Sequence, residues 1–301
     1  MSKEGPVLQN GRYVLRGQIG KGSFGVIYEG YDVVRGVRVA LKFEKTECEG
    51  RRLPHLEHEY RVYCCLKNTP GIAEVNELFR LPNYLVLVME CLGPSLADLF
   101  RAHRNIFSLK TVLFLAEKIL CRLEYLHLNH YVHQDIKPDN FTVGAGEKKG
   151  EVYLIDFGLA RRYRDPASLQ HISSSRPKGL IGTARYASRR AHLGETLSRG
   201  DDLEAVGYLL VYFAKGALPW QGLRIKEKAE RDRRIWELKE RTGPEELCAD
   251  LPPCFCTYLL TVRRLGLDER PDYKKLRGLF YEAMRVSNVP CDYVFDWDAE
   301  K

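Results

Sequence analysis

The sequence predicts an α+β protein of two lobes, a small antiparallel-β lobe with one helix over residues 1–92 and a larger, mainly helical lobe over 93–301. Three observations predict this. Stretches rich in β-branched and aromatic residues (12–20, 26–31, 37–43, 74–80 and 84–89) crowd the first third of the chain. Beyond residue 108 the apolar positions recur at the three-four spacing of helices. Between the two lies a stiff connector, residues 90–94, which marks the lobe boundary. At 301 residues, 45% hydrophobic and 29% charged, the composition is that of a soluble globular protein with ample material for a core.

In chain order, the first two strands flank Gly20-Lys21-Gly22-Ser23-Phe24-Gly25. A glycine triplet of this kind opens a helix in dinucleotide-binding domains. Here Val26-Ile27-Tyr28 continues as a strand, so the glycines form a hairpin flap whose amides can approach phosphates closely. The strand over 37–43 carries Val39-Ala40-Leu41-Lys42, with Lys42 expected to point inward. Alone it reads equally well as a solvated lysine; the flap upstream favours the inward reading. Residues 56–66 form a helix with Leu56, Tyr60, Tyr63 and Leu66 on one face. Either Glu57 or Glu59 on it can partner Lys42, and spacing barely separates them. Pro70-Gly71 breaks the chain before a hairpin folded around Leu81-Pro82-Asn83.

In the second lobe, Ser108 caps a helix whose stripe Val112, Ala116, Ile119, Leu120, Leu123 and Leu126 is core. Short strands are expected at 141–143 and 153–155, and helices at 202–213, 232–240, 252–265 and 272–286. Residues 224–234 carry six basic and three acidic side chains, mostly a solvated helix face with one or two functional cations. His127, His130 and His133 recur every third residue. A metal site there is the weaker reading, because His130 falls where the helix ends and His133 belongs to the stretch described next.

That stretch is His133-Gln134-Asp135-Ile136-Lys137-Pro138-Asp139-Asn140, with Asp156-Phe157-Gly158 behind it. It offers a carboxylate (Asp135), a cation two residues on (Lys137), a neutral oxygen ligand (Asn140) and a second carboxylate (Asp156) in a turn assigned to Gly158. Phosphoryl transfer from a nucleotide needs such parts: a base for the acceptor hydroxyl, a cation on the moving phosphoryl and oxygen ligands for magnesium. The set matches the catalytic loop and D-F-G of protein kinases.

The net charge of +7 favours acidic partners, among them phosphorylated protein. Zinc-finger spacing, an RNA-binding aromatic signature and a heptad-linked basic region are all missing, so nucleic acid is not an expected partner. Nine cysteines without a C-x-x-C pair fit reduced thiols in the cytoplasm or nucleus. The apolar runs 85–89 and 208–214 are too short to span a bilayer, so no membrane association is expected.

Finer motifs narrow the resemblance. Leu92-Gly93-Pro94-Ser95-Leu96, Lys137-Pro138-Asp139-Asn140-Phe141, Gly182-Thr183-Ala184-Arg185-Tyr186-Ala187-Ser188, His192-Leu193-Gly194, Asp201-Asp202-Leu203-Glu204 and Leu218-Pro219-Trp220-Gln221-Gly222-Leu223 resemble the casein kinase 1 family of serine/threonine kinases, over about residues 12–297. The resemblance implies a bilobal kinase that uses ATP and Mg²⁺, is monomeric, and phosphorylates acidic or already phosphorylated proteins. It places the flap on Ile19, Gly20, Lys21, Gly22, Ser23, Phe24, Gly25, Val26 and Ile27, the nucleotide lysine on Lys42 and its partner on Glu59. Adenine would meet the backbone of Glu90 and Leu92, with Met89 behind it, Ala40 above, Thr142 beneath, and Ile155 completing the set. Asp135 becomes the base, Lys137 the cation on the phosphoryl, and Asn140 and Asp156 the metal ligands. Asp202 takes the place of a buried helix aspartate that braces the catalytic loop. Arg185, Arg231 and Gly222 fall on the family's site for a substrate phosphate.

Three positions depart from the family pattern. Gln134 replaces an arginine, Thr142 a leucine, and Ser173-Ser174-Ser175-Arg176-Pro177 the usual activation-segment sequence. The chain stops soon after Asp296-Trp297-Asp298, so the long regulatory tail of several relatives is not expected. Lys42, Glu59, Asp135, Lys137, Asn140 and Asp156 are all present, which favours an active enzyme over a catalytically dead pseudokinase.

Overall fold

The computed structural model describes residues 5–22, 25–48, 51–52, 55–173 and 179–298. Strands β1 (Val7–Leu8), β2 (Tyr13–Gly22), β3 (Gly25–Asp32), β4 (Val37–Lys45), β7 (Val75–Leu81) and β8 (Tyr84–Glu90) form one antiparallel sheet in the order β1-β2-β3-β4-β8-β7. Two-residue strands β5 (Glu47–Cys48) and β6 (Arg51–Arg52) pair apart from it.

Side chains alternate across a strand, and here the alternation sorts two cores. Val39, Leu41, Val86 and Val88 join Tyr13 and Phe79 on one face of the sheet. Ala40, Leu85, Leu87 and Met89 turn to the other, where α1 (His55–Cys65) buries Leu56, Val62 and Tyr63. The period of two thus sends Lys42 to the α1 side with Ala40, and the register sets Ala40 opposite Met89 and Lys42 opposite Leu87.

Past β8 the chain enters the helical part, where the Gly93 N–H donates to the Val143 carbonyl at 2.9 Å. Helix α2 (Leu96–Ala102) was not anticipated, although Ser95 and Asp98 close a capping box at its start. Helix α3 (Leu109–Leu128) is capped by Ser108 and buries its whole predicted stripe. Then come β9 (Tyr131–Val132), β10 (Phe141–Val143), β11 (Val152–Leu154) and β12 (Arg161–Arg162), with β10 paired to β11 and β9 to β12.

Helix α4 (Arg189–His192) precedes α5 (Arg199–Lys215), which begins three residues before the expected start because Ser198 and Asp201 form a second capping box. Helices α6 (Lys228–Arg241), α7 (Pro244–Leu247), α8 (Pro253–Arg263) and α9 (Tyr273–Val286) complete the lobe. Of these, α7 was not foreseen and α6 starts four residues before the expected 232.

Residues 292–298 run back onto the start of α3. Asp296 accepts hydrogen bonds from the Ser108 N–H and hydroxyl at 2.7 and 2.6 Å, and Phe295 stacks on Trp297 with ring centroids 4.6 Å apart. Among the described residues, no helix is long and apolar enough to cross a membrane.

Candidate active site

The catalytic stretch is shaped from below by α5. Asp202, buried at the helix start, accepts from the His133 N–H at 2.7 Å, the Gln134 N–H at 2.9 Å and the His127 ring. Burial would raise the pKa of its carboxyl, but these bonds outweigh that and hold it below the usual value. Gln134, at φ 68°, turns the loop in the left-handed region. Gly182, at φ 84°, passes so close that a β-carbon would lie 2.3 Å from the Gln134 carbonyl oxygen. The loop and the 182–188 segment are therefore packed backbone to backbone.

Asp135 emerges from this support with both carboxylate oxygens held. Lys137 Nζ donates to one at 2.5 Å and the Thr183 hydroxyl to the other at 2.7 Å. Asn140 spends its amide N–H on the Asp135 backbone carbonyl at 2.8 Å, which turns its own oxygen elsewhere. The Ile155 N–H donates to the Asn140 carbonyl at 3.0 Å, setting Asp156 beside Asn140. Within this turn Asp156 itself is left-handed, at φ 65°.

Lys42 reaches in from the sheet. Its ammonium donates to Glu59 at 2.7 Å and to Asp156 at 2.9 Å. Glu57 instead pairs with Arg80 at 3.1 Å, on the outer side of α1. Burial alone would lower the Lys42 pKa, but two carboxylates outweigh it and hold the ammonium charged. They also compete for it. Burial pushes Glu59 up to about 7 against the pull of Lys42, whereas Asp156, which burial also raises, is held below its usual value by the Lys42 charge and hydrogen bond.

The family model for the protein kinase domain matches residues 13–252. The chain belongs to that family. As a protein kinase it acts on protein substrates and uses ATP with a divalent metal. The donors fit such a cation, because Asn140 and Asp156 offer hard oxygens, as an alkaline-earth ion requires, and the Ile155–Asn140 bond brings their backbones together.

Around the kinase's nucleotide region, Gly20, Lys21 and Gly22 pair with Ile27, Val26 and Gly25 across the β2–β3 hairpin, and Ile19 is exposed. Ser23 and Phe24 lie outside the described residues. Ala40 and Met89 are adjacent and buried. The Glu90 N–H donates to the Glu74 carbonyl at 2.8 Å, and the bond at Gly93 fixes the chain beyond Leu92. Thr142 is buried, and its hydroxyl has no partner among the described residues.

Arg185 is exposed, its guanidinium 5.8 Å from the centres of the Tyr186 and Tyr212 rings. Arg231 lies on α6 with no ion pair among the described residues, and Gly222 sits in a turn at φ 72°. The three histidines do not converge. His127 serves Asp202 and Tyr273, His130 accepts from Arg164, and His133 meets the Ile155 carbonyl. Sequence reasoning missed the contact of Thr183 with Asp135; a hydroxyl next to the left-handed Gly182 was the only available signal.

Proposed function

We propose that this kinase is a serine/threonine enzyme of casein kinase 1 type. It transfers the γ-phosphoryl of ATP to acidic or already phosphorylated proteins, as a monomer in the cytoplasm or nucleus. The observation that carries the reading is the siting of Arg185: an exposed guanidinium two residues from Thr183, whose hydroxyl is bonded to Asp135. A phosphate held at Arg185 is thereby anchored close to the base. Arg231 and Gly222 complete the anion site, and arginine's planar fork suits phosphate.

In this reading Asp135 takes the proton of the acceptor hydroxyl, its oxygens aimed by Thr183 and Lys137. Lys137 then follows the phosphoryl, as in serine/threonine kinases. Lys42, kept charged and inward by Glu59, steadies the remaining phosphates beneath the flap. Asn140 and Asp156 would hold magnesium, which when bound would supply positive charge against the phosphates. Met89, Ala40, Thr142, Ile155 and the Glu90–Leu92 backbone receive the adenine.

The test is a pair of peptides that differ only in a phosphoserine three residues before the target. Wild type should prefer the phosphorylated one. Arg185→Ala or Arg231→Ala should lower kcat/KM for it about tenfold, the worth of one exposed charge-assisted hydrogen bond, and leave the other peptide nearly unchanged. A wild type indifferent to the phosphoserine overturns the reading.

A further inference from the structure

Two sequence motifs singled out above, Gly182–Ser188 and Leu218–Leu223, share more than the anion site to which Arg185 and Gly222 are assigned. The structure joins them through a lysine that neither contains. Lys239, on the inner side of α6, is wholly buried. Its amine donates to the Ala184 carbonyl at 2.7 Å and the Ala187 carbonyl at 2.6 Å, and lies 3.3 Å from His192 Nε2. None of these partners is a carboxylate. Instead the amine faces the rings of Tyr208 and Trp220, 4.8 and 5.2 Å from their centres.

Trp220 takes the carbonyl in between. Its indole N–H donates to the Arg185 carbonyl at 2.7 Å, while its ring lies edge-on to Tyr208. The neighbouring residues aim it. The Leu218 N–H donates to the Gln221 side chain at 2.6 Å and the Gln221 N–H returns to the Leu218 carbonyl at 3.0 Å, closing a tight turn. Three carbonyls within four residues are thus captured by buried donors from outside the segment. A neutral amine still has two N–H groups, so the grip on Ala184 and Ala187 does not depend on the lysine's charge.

We infer that Lys239 and Trp220 are positioning residues for the protein substrate. They clamp the backbone of 184–187 and so hold Thr183 against Asp135 and Arg185 at the groove. Because Lys239 and Arg231 share α6, the clamp also fixes the second arginine relative to the first. The inference rests on reading 182–188 as the substrate-side wall of the site.

The experiment compares Trp220→Phe, which keeps the ring and loses only the N–H, with Lys239→Met, which keeps the stem and loses the amine. Kinetics are measured separately against ATP and against an unphosphorylated peptide, with melting temperature as control. Trp220→Phe should lower kcat/KM for the peptide about fivefold and Lys239→Met tenfold or more, as expected for one and for two buried bonds. The KM for ATP should stay within about twofold in both, since the clamp is remote from Lys42. Unchanged peptide kinetics in a folded variant, or equal losses for ATP and peptide, overturn the proposal. Should Lys239→Met fail to fold, Trp220→Phe decides alone. If wild type shows no preference for phosphoserine while the clamp variants still lose peptide selectively, the casein kinase 1 reading falls and the clamp stands.

Discussion

Lys42 and Lys239 are both removed from solvent, at 6% and 0% exposure, and their surroundings are opposite. Lys42 stands between two carboxylates, which hold its pKa up; Lys239 has carbonyls and ring faces, and burial drives its pKa well down. The difference separates two uses of a buried cation. Between Glu59 and Asp156 the charge is held under competition and can be shared with a third anion, so it suits a site that binds and releases phosphates. Against Ala184 and Ala187 the donors are consumed, and what is gained is a fixed backbone.

The largest effects test the Lys42 side. Lys42→Met removes a positioned electrostatic contact and leaves buried Glu59 facing half-buried Asp156 with no cation between them, so turnover should fall by about 10²–10³ and nucleotide binding should fail. Asp135→Asn should cost about 10²–10⁴ in kcat with nucleotide binding kept. Steady-state kinetics with a fluorescent-nucleotide titration separate the two. Near-normal turnover in Lys42→Met would break the comparison, because the ammonium between carboxylates would then be structural as well; near-normal turnover in Asp135→Asn would remove Asp135 as the base.

A middle-sized effect sharpens the Lys239 side through pH. Burial, with Lys239 second, pushes His192 down to about 3, so the folded protein keeps this ring neutral. The unfolded chain protonates near the ordinary value of ~6.5. This contribution is therefore full above about pH 6.5 and is lost as pH falls toward 3. Between pH 7 and 5 the loss should reach at most about 2 kcal/mol, and His192→Gln should flatten that part of the urea-melt profile. Beside Lys42 the sign reverses: Glu59, pushed up to about 7, loses its contribution as pH rises from about 4.5 to 7. A profile unchanged by His192→Gln would put that ring in water.

The smallest expected effect is none at all. Gln134 donates its N–H to Asp202, and its neutral side chain cannot pair with a phosphate as an arginine would. Phosphatase treatment of bacterially produced protein should leave turnover within about twofold. A large fall, with phosphate mapped to the serines at 173–175, would show another cation doing that work.

Much of this was legible in the sequence because chemistry is spaced along it. The catalytic stretch, the flap and the α3 stripe announce themselves through residue type and period. Helix α2 was legible and missed: Ser95 and Asp98 spell its capping box, as Ser198 and Asp201 spell the true start of α5. The choice between Glu57 and Glu59 was not legible from spacing, since two residues apart on a helix is a question of which face meets the sheet. Lys239 was invisible for a similar reason. In a helix as polar as α6 one more lysine reads as solvated, and only the packing of α4, α5 and the Trp220 turn around it shows otherwise.

The contact of Asp296 with Ser108 bears on the order in which the molecule is assembled. Ser108, which caps α3, the central helix of the larger lobe, donates two hydrogen bonds to a residue 188 positions later. During synthesis the ribosome must release nearly all the described residues before that cap acquires its final partner. Until then the helix start is held by Ser108 alone, through its bond from the Thr111 N–H, and the Phe107 and Phe114 rings lack the aromatic cover of residues 293–297. A nascent chain interrupted after Asp156 but before that point carries Lys42, Glu59, Asp135, Lys137, Asn140 and Asp156 yet leaves the core helix of the lobe unsealed at one end.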